Sequence, residues 1–286
     1  FNKRHIVRTI AATVSILALS FTAACGSGQS TASNSTDSDD ITQQTYKPGK
    51  LTIATGQPAY EPWVMNDKPE SGEGYEAAVA YAVADKLGFK KSDVVWTRTA
   101  FDTAIAPGAK DWDFNIQQFG ITDERKKAVD FSSSYSNDSQ SVVVKKDSKF
   151  ANATKVSDLK DATVGVMVGT LAYDYAKANI KDDIQTFNDD AALAQALDAG
   201  QIDVLVTSTV ECVYMVQSEQ VKDSKVLGRL PDSEDKSGMG IVLPKDSKLT
   251  AAVTKAVDDL NADGTIKKLQ DKWLAEYTTD LTELKK

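Results

Sequence analysis

The chain has 286 residues, 41% of them hydrophobic and 26% charged, with 16 Gly and 7 Pro, a globular composition that sets aside fibrous, collagen-like and wholly disordered chains. A formal charge of -8 supplies no basic face, so no nucleic-acid partner is expected. The only histidine is His5 and the only cysteines are Cys25 and Cys212, so a mature chain without its first residues has no Ser-His-Asp triad, His or Cys-rich metal site or imidazole proton relay, and no cofactor is expected.

Lys3, Arg4, His5 and Arg8 precede an apolar run from Ile10 to Phe21 that is too short for a membrane span. Residues 1–24 are therefore expected to be a signal peptide. Thr22, Ala23 and Ala24 before Cys25, with Gly26 after it, resemble a lipoprotein processing site in which the cysteine thiol receives a diacylglycerol. Thr22 stands where such sites usually carry Leu, and ordinary cleavage after Ala24 is the alternative. Gly26 to Asp40 holds almost no apolar side chain, so ordering it would lose backbone entropy with nothing buried in return. Residues 25–47 are assigned to the modified cysteine and a flexible tether at a membrane surface.

From Leu51 onward short β-rich runs alternate with helical patterns: LTIAT (51–55), AAVAYAVADKL (77–87), VVWTR (94–98) and FNIQQF (114–119). In the helical run Ala78, Tyr81, Ala82 and Val83 are expected on one face, with a stop at Gly88. After SVVVKK (141–146) the alternation restarts with TVGVMVG (163–169), a helix through LAYDYAKANI, DIQTF (183–187), AALAQALDAG and IDVLVT (202–207). Two similar α/β units are implied. GIVLP (240–244) and two helices around the NADG turn at 261–264 follow, and pattern alone does not say which unit they join.

ITDERKKAVDFSSSY (121–135) and GYEAAVAYAVADKLG (74–88) resemble the bacterial extracellular solute-binding protein family 3. VGVMVGT (164–170), AGQIDVLV (199–206) and GIVLPKDSKL with NADGTIKKLQDKW (240–273) match in the same order. The resemblance implies a type II periplasmic-binding-protein-like α/β fold, two lobes joined by two strand crossovers with a ligand cleft between them. Lobe one would comprise residues 48–138 plus 238–286, and lobe two residues 139–237. It also implies a receptor that captures a polar amino acid or related small carboxylate and hands it to an ABC permease, and with the Cys25 site and tether a lipid-anchored monomer on the extracellular face of the cell membrane is expected.

A ligand of that kind needs a fork of donors for its carboxylate, an acceptor for its ammonium and a shaped wall. Arg125 is the candidate fork, because a planar guanidinium grips a carboxylate with two parallel hydrogen bonds. The alternative is a surface Arg paired with Asp123 or Asp130. Gln118 and Gly120 match family positions that face the ligand, although Gly120 lacks the hydroxyl often found there, and Thr122 is expected to support the turn that aims Arg125. Thr170 and Leu171, where a strand leads into a helix, resemble the second carboxylate contact. Tyr60, Phe101 and Trp63 are candidate aromatic walls, Trp63 ranking last because a core position suits it equally. The family's acidic partner for the ammonium falls on Ser208, a neutral hydroxyl, so Glu211 is a candidate substitute if a helix starts there. Cys212 is expected to be a small buried hydrophobe. Two other functions stay open: a dehydratase-like enzyme on the same scaffold, with Glu61, Glu73 or Glu211 as acid or base, and a ligand-sensing surface domain.

Overall fold

The computed structural model describes residues 40–278 and 280–286. The expected signal peptide, Cys25 and most of the tether lie outside the described residues. The tether was expected to run to residue 47, but ordered contacts begin earlier. Asp40 caps a 3-10 turn at Ile41–Gln43, Thr45 is buried, and the Tyr46 amide donates to Asp113 at 2.6 Å.

Strands and helices alternate through the first unit as β1 (Leu51–Thr55), α1 (Tyr75–Lys86), β2 (Val94–Arg98), α2 (Phe101–Ala104), β3 (Phe114–Asn115), α3 (Asp123–Lys126) and β4 (Val129–Ser136). The second unit runs β5 (Gln140–Lys145), β6 (Val164–Met167), α4 (Leu171–Asn179), β7 (Ile184–Phe187), α5 (Asp190–Asp198), β8 (Val204–Ser208), α6 (Thr209–Gln217) and β9 (Ser224–Arg229). The chain then forms β10 (Met239–Pro244), α7 (Thr250–Ala262) and α8 (Thr265–Trp273). Two five-stranded sheets result, ordered β2-β1-β3-β10-β4 and β7-β6-β8-β5-β9. The chain passes from one to the other after β4 and returns after β9, which answers the question that periodicity left open: β10 lies in the first sheet between β3 and β4.

Burial explains why these segments take these forms. Every residue of β1 is buried, as a central strand covered on both faces requires, and β1 pairs in parallel with β2 and β3. Three consecutive valines in β5 show the two-residue period of a strand. Val142 and Val144 enter the cluster under α4, while Val143 enters the cluster formed with α5 and α6, where Cys212 is buried. Helix α1 starts two residues earlier than its sequence pattern suggested and turns a different face inward: Tyr75, Val79, Ala80 and Val83 are buried, whereas Ala78, Tyr81 and Ala82 are only partly so. Gly74 precedes it with φ 100°, and a Cβ there would lie 2.5 Å from the Trp63 carbonyl oxygen.

Two departures from the expected layout matter for the cleft. FNIQQF stops being a strand after Asn115, and the chain leaves the sheet toward Gln118, whose φ is 53°. The last residues also do not stay on lobe one. Leu284 is buried in the cluster under α4, the Arg229 amide donates to Thr282 O and the Leu284 amide to Arg229 O, both at 2.9 Å. The physical cause is the free edge of β9, which this tail covers. Replacing Leu284 by Ala should lower the unfolding free energy by about 2 kcal/mol or more, as for other buried leucines. Urea denaturation checks this, and an unchanged midpoint would show that the tail contributes nothing to lobe two.

Candidate functional site

Arg125 is set by its own helix start. Thr122 caps α3, its Oγ1 accepting from the Arg125 amide at 3.1 Å. The guanidinium reaches between the lobes: Nη1 donates to Gly120 O on lobe one and Nη2 to Gly169 O on lobe two, both at 2.8 Å. Its carbon sits 5.5 Å from the centroid of the Phe101 ring, which is itself stacked on Phe119 at 4.6 Å. Arg125 is 9% exposed. The surface alternative fails, since Lys126 lies 3.8 Å from Asp123 and Lys245 lies 3.5 Å from Asp130. Burial pulls the Arg125 pKa down, and the charges on Asp174 and Asp235 act against that.

The guanidinium lines an interlobe cavity of about 180 Å³. Tyr60, Phe101, Gln118 and Gly120 face it from lobe one, and Thr170, Leu171, Ser208 and Glu211 from lobe two. Trp63 does not. It is fully buried in the core of lobe one against Tyr75, because a ring of that size behind the sheet is better satisfied by packing than by a wall position.

Each lining residue has a local reason to be where it is. Glu76, on α1, holds the Gln118 turn: its carboxylate accepts from the Gln118 amide at 2.8 Å, from the Gln118 side-chain amide and from the Tyr135 hydroxyl. A Cβ on Gly120 would meet Leu171 Cδ1 at 2.5 Å, so the hydroxyl-bearing side chain often found at that position has no room here. Thr170 caps α4, accepting from the Tyr173 amide at 3.2 Å. The first amides of that helix, at Leu171 and Ala172, border the cavity without helical acceptors. The Tyr60 hydroxyl accepts from the Ala191 amide at 3.0 Å, a second tie between the lobes. Ser208 caps α6 by accepting from the Glu211 amide at 3.3 Å.

Carboxylates supply the remaining charge of the wall. Asp189, Asp190, Glu211 and Asp235 line the cavity, and only Glu211 among them was singled out by sequence. Asp189 and Asp190 lie in a stretch with the pattern of a helix cap, and Asp189 is one, accepting from the Ala192 amide at 2.8 Å. Asp235 belongs to a charged loop with no motif around it. Burial, then the charge on Asp190, pushes the Glu211 carboxyl well above the usual range. Burial likewise raises Asp190 and Asp235 to about 6, Thr207 opposing the first and Arg125 the second. Glu76, and Asp138 behind Ser208, rise to about 7, chiefly from burial.

These shifts fix the sign of a pH effect. A carboxyl whose folded pKa exceeds its unfolded value binds protons more readily when folded, so its charge destabilises the fold at high pH and the penalty disappears as pH falls. For Glu76, Asp138, Asp190 and Asp235 the window runs from about 7 down to about 4. Exposed acids lowered by lysine partners, such as Asp93 and Asp232, titrate below it. The ligand-free protein should therefore melt at a higher temperature at pH 5 than at pH 8 in differential scanning calorimetry, and the opposite slope would refute this account of the buried acids.

A cavity closed between two α/β lobes that are linked by crossing strands defines a binding protein that takes its ligand into the cleft. Residues 51–276 match the family model of bacterial extracellular solute-binding proteins, family 3. The chain belongs to that family. It is 29% identical over 223 residues to the L-cystine-binding protein TcyJ of Escherichia coli K12, covering 77% of this chain and 81% of that one. With the L-arginine-binding protein of Pseudomonas aeruginosa PAO1 it shares 28% over 245 residues, 80% and 88% of the two chains. Among solved structures it resembles an ancestral arginine-binding protein bound to arginine, with a TM-score of 0.68 and 31% identity over 79% of this chain and 99% of that one. Both of these curated relatives are named as binding proteins.

Proposed function

We propose that this protein is the extracytoplasmic substrate-binding component of an ABC importer. It captures a polar amino acid or related small carboxylate by lobe closure and delivers it to the permease, making and breaking no bonds in it. One observation carries this reading: Arg125, nearly out of solvent, already spans both lobes inside the cavity. A guanidinium has five N–H donors, so two carbonyl contacts leave donors for a carboxylate. The α4 amides add anion-friendly groups from the other lobe. A ligand held from both sides gains contacts in the closed state that the open state lacks, which is sufficient to drive closure. Relatives named for arginine and for cystine support an amino-acid ligand. We further assign Cys25 to lipidation and the residues after it to a tether, which would hold a monomeric receptor at the extracellular face of the membrane beside its permease.

The test is calorimetric titration of the purified chain with a panel of amino acids and organic acids. Arg125→Ala should weaken binding roughly 100-fold, the loss expected when a charge-assisted pair disappears from a buried site. Arg125→Lys should rescue little of it, because the three donors of an ammonium share one nitrogen and do not reproduce the planar fork that reaches both carbonyls and grips a carboxylate with two parallel bonds. Parent-like affinity in Arg125→Ala would remove the basis of this reading.

A further inference from the structure

We propose that the cavity selects a monocarboxylic amino acid bearing a second cationic group, with Asp235 receiving the α-ammonium beside Arg125 and the Asp190–Glu211 pair receiving the cation on the side chain. This rests on the cleft being an amino-acid site and states which amino acids it takes.

Charge count comes first. Among the described lining residues Arg125 is the only lysine or arginine, against four carboxylates. Asp189 is occupied as a helix cap, and Asp190 accepts only a long bond from Thr207 Oγ1, at 3.4 Å. Two carboxyl oxygens are buried with no hydrogen-bond partner: Oε1 of Glu211 and Oδ1 of Asp235. A buried carboxylate oxygen without a partner is costly, and a native site retains one where a ligand completes it.

The two orphan oxygens belong to different neighbourhoods. Asp235 Oδ1 lies 3.5 Å from where a Cβ of Gly120 would stand, next to the carbonyl that Arg125 grips, and Arg125 is the charge that acts on Asp235. Glu211, 3% exposed, is acted on by the charges of Asp190, Asp138 and Glu76, all acids, with only the neutral Trp63 indole opposing them, while the charges acting on Arg125 are Asp174 and Asp235. An α-ammonium is bonded to the carbon that carries the carboxylate, so a carboxylate on Arg125 puts the α-ammonium near Asp235. Glu211 is not among the charges that act on Arg125. The Asp190–Glu211 pair then faces whatever the side chain brings, and two carboxyls with no cation beside them call for a positive group.

This separates the ligand classes suggested by the relatives. The far half of cystine would present a second carboxylate to an acid-lined wall that offers no second guanidinium. A neutral side chain would leave Glu211 and Asp190 with no cation beside them. An amino acid whose side chain ends in a guanidinium or ammonium brings a positive group to each of the two orphan oxygens.

The experiment titrates the folded protein, and its Glu211→Gln, Asp190→Asn and Asp235→Asn variants, with arginine, lysine, citrulline, glutamine and cystine by calorimetry. Citrulline has the shape of arginine without the charge. In the parent, arginine or lysine should bind at least about 100-fold more tightly than citrulline, glutamine and cystine. Glu211→Gln and Asp190→Asn should shrink the arginine-to-citrulline ratio at least about tenfold, whereas Asp235→Asn should weaken both ligands together and keep the ratio. Tight binding of citrulline, glutamine or cystine by the parent, or an unchanged ratio in Glu211→Gln, overturns the assignment while leaving an amino-acid receptor intact. If the parent binds no amino acid and no organic acid, the proposed function fails as well. The ratio in the parent requires no variant to fold.

Discussion

The guanidinium of Arg125, held between the carbonyls of Gly120 and Gly169, is the contact on which the closed form of this molecule depends. A planar, permanently charged fork can donate to two separate backbones from two nitrogens and still carry donors for a third group, whereas the three donors of a lysine all sit on one nitrogen. Its surroundings keep that fork in one place. Thr122 fixes the turn from which it leaves, and Phe101, stacked on Phe119, forms the surface on which it lies. Closure in turn explains Gly120: the position has to remain without a side chain because Leu171 of the opposite lobe occupies the space a Cβ would need.

The cleft and the packing directly behind it carry an internal opposition. Glu76, Asp138, Asp190, Glu211 and Asp235 are acids whose carboxyls burial pushes upward, and each raised value means that the folded state opposes the charge it contains. Glu76 is compensated by three donors that organise the Gln118 turn. Glu211 and Asp235 each keep an oxygen without any donor. Stability is lost at these positions in exchange for a site that a cation completes, a balance common where a fold holds a binding group in place before its ligand arrives.

Much of the fold was legible because its signals are local. The boundaries of β1 and β2 coincide with the β-rich runs LTIAT and VVWTR, and the second alternation of strands and helices yields the second sheet. Strand β9, SKVLGR, was missed because it alternates no apolar stripe, its burial being intermediate except at Ser224 and Gly228. The face of α1 was misplaced because alanines fit a buried or a half-exposed position equally well. Of the site, Arg125 was found through a motif, and Glu211 through the absence of an acid at Ser208. Asp190 and Asp235 were not, since a charge next to a cap or inside a polar loop has the same appearance whether it faces solvent or a cavity. Only the third dimension distinguishes the two.

The position of Asp235 joins the site to the hinge. It lies on the segment that carries the chain from β9 back to β10, and its amide donates at 2.9 Å to the carbonyl of Asp138, on the segment that carries the chain from β4 to β5. The two crossing segments are therefore tied to each other where they pass. Asp138 also accepts from the Ser139 amide at 2.7 Å and the Val210 amide at 3.4 Å, so the start of α6, which bears Glu211, is fastened to the same point. A group that pairs with Asp235 consequently acts on the hinge itself, and one that pairs with Glu211 acts on a helix anchored to it. In a receptor whose closed form must signal that it is loaded, placing the charge-bearing contacts on the crossing segments couples occupancy to lobe angle without any long relay through the domains.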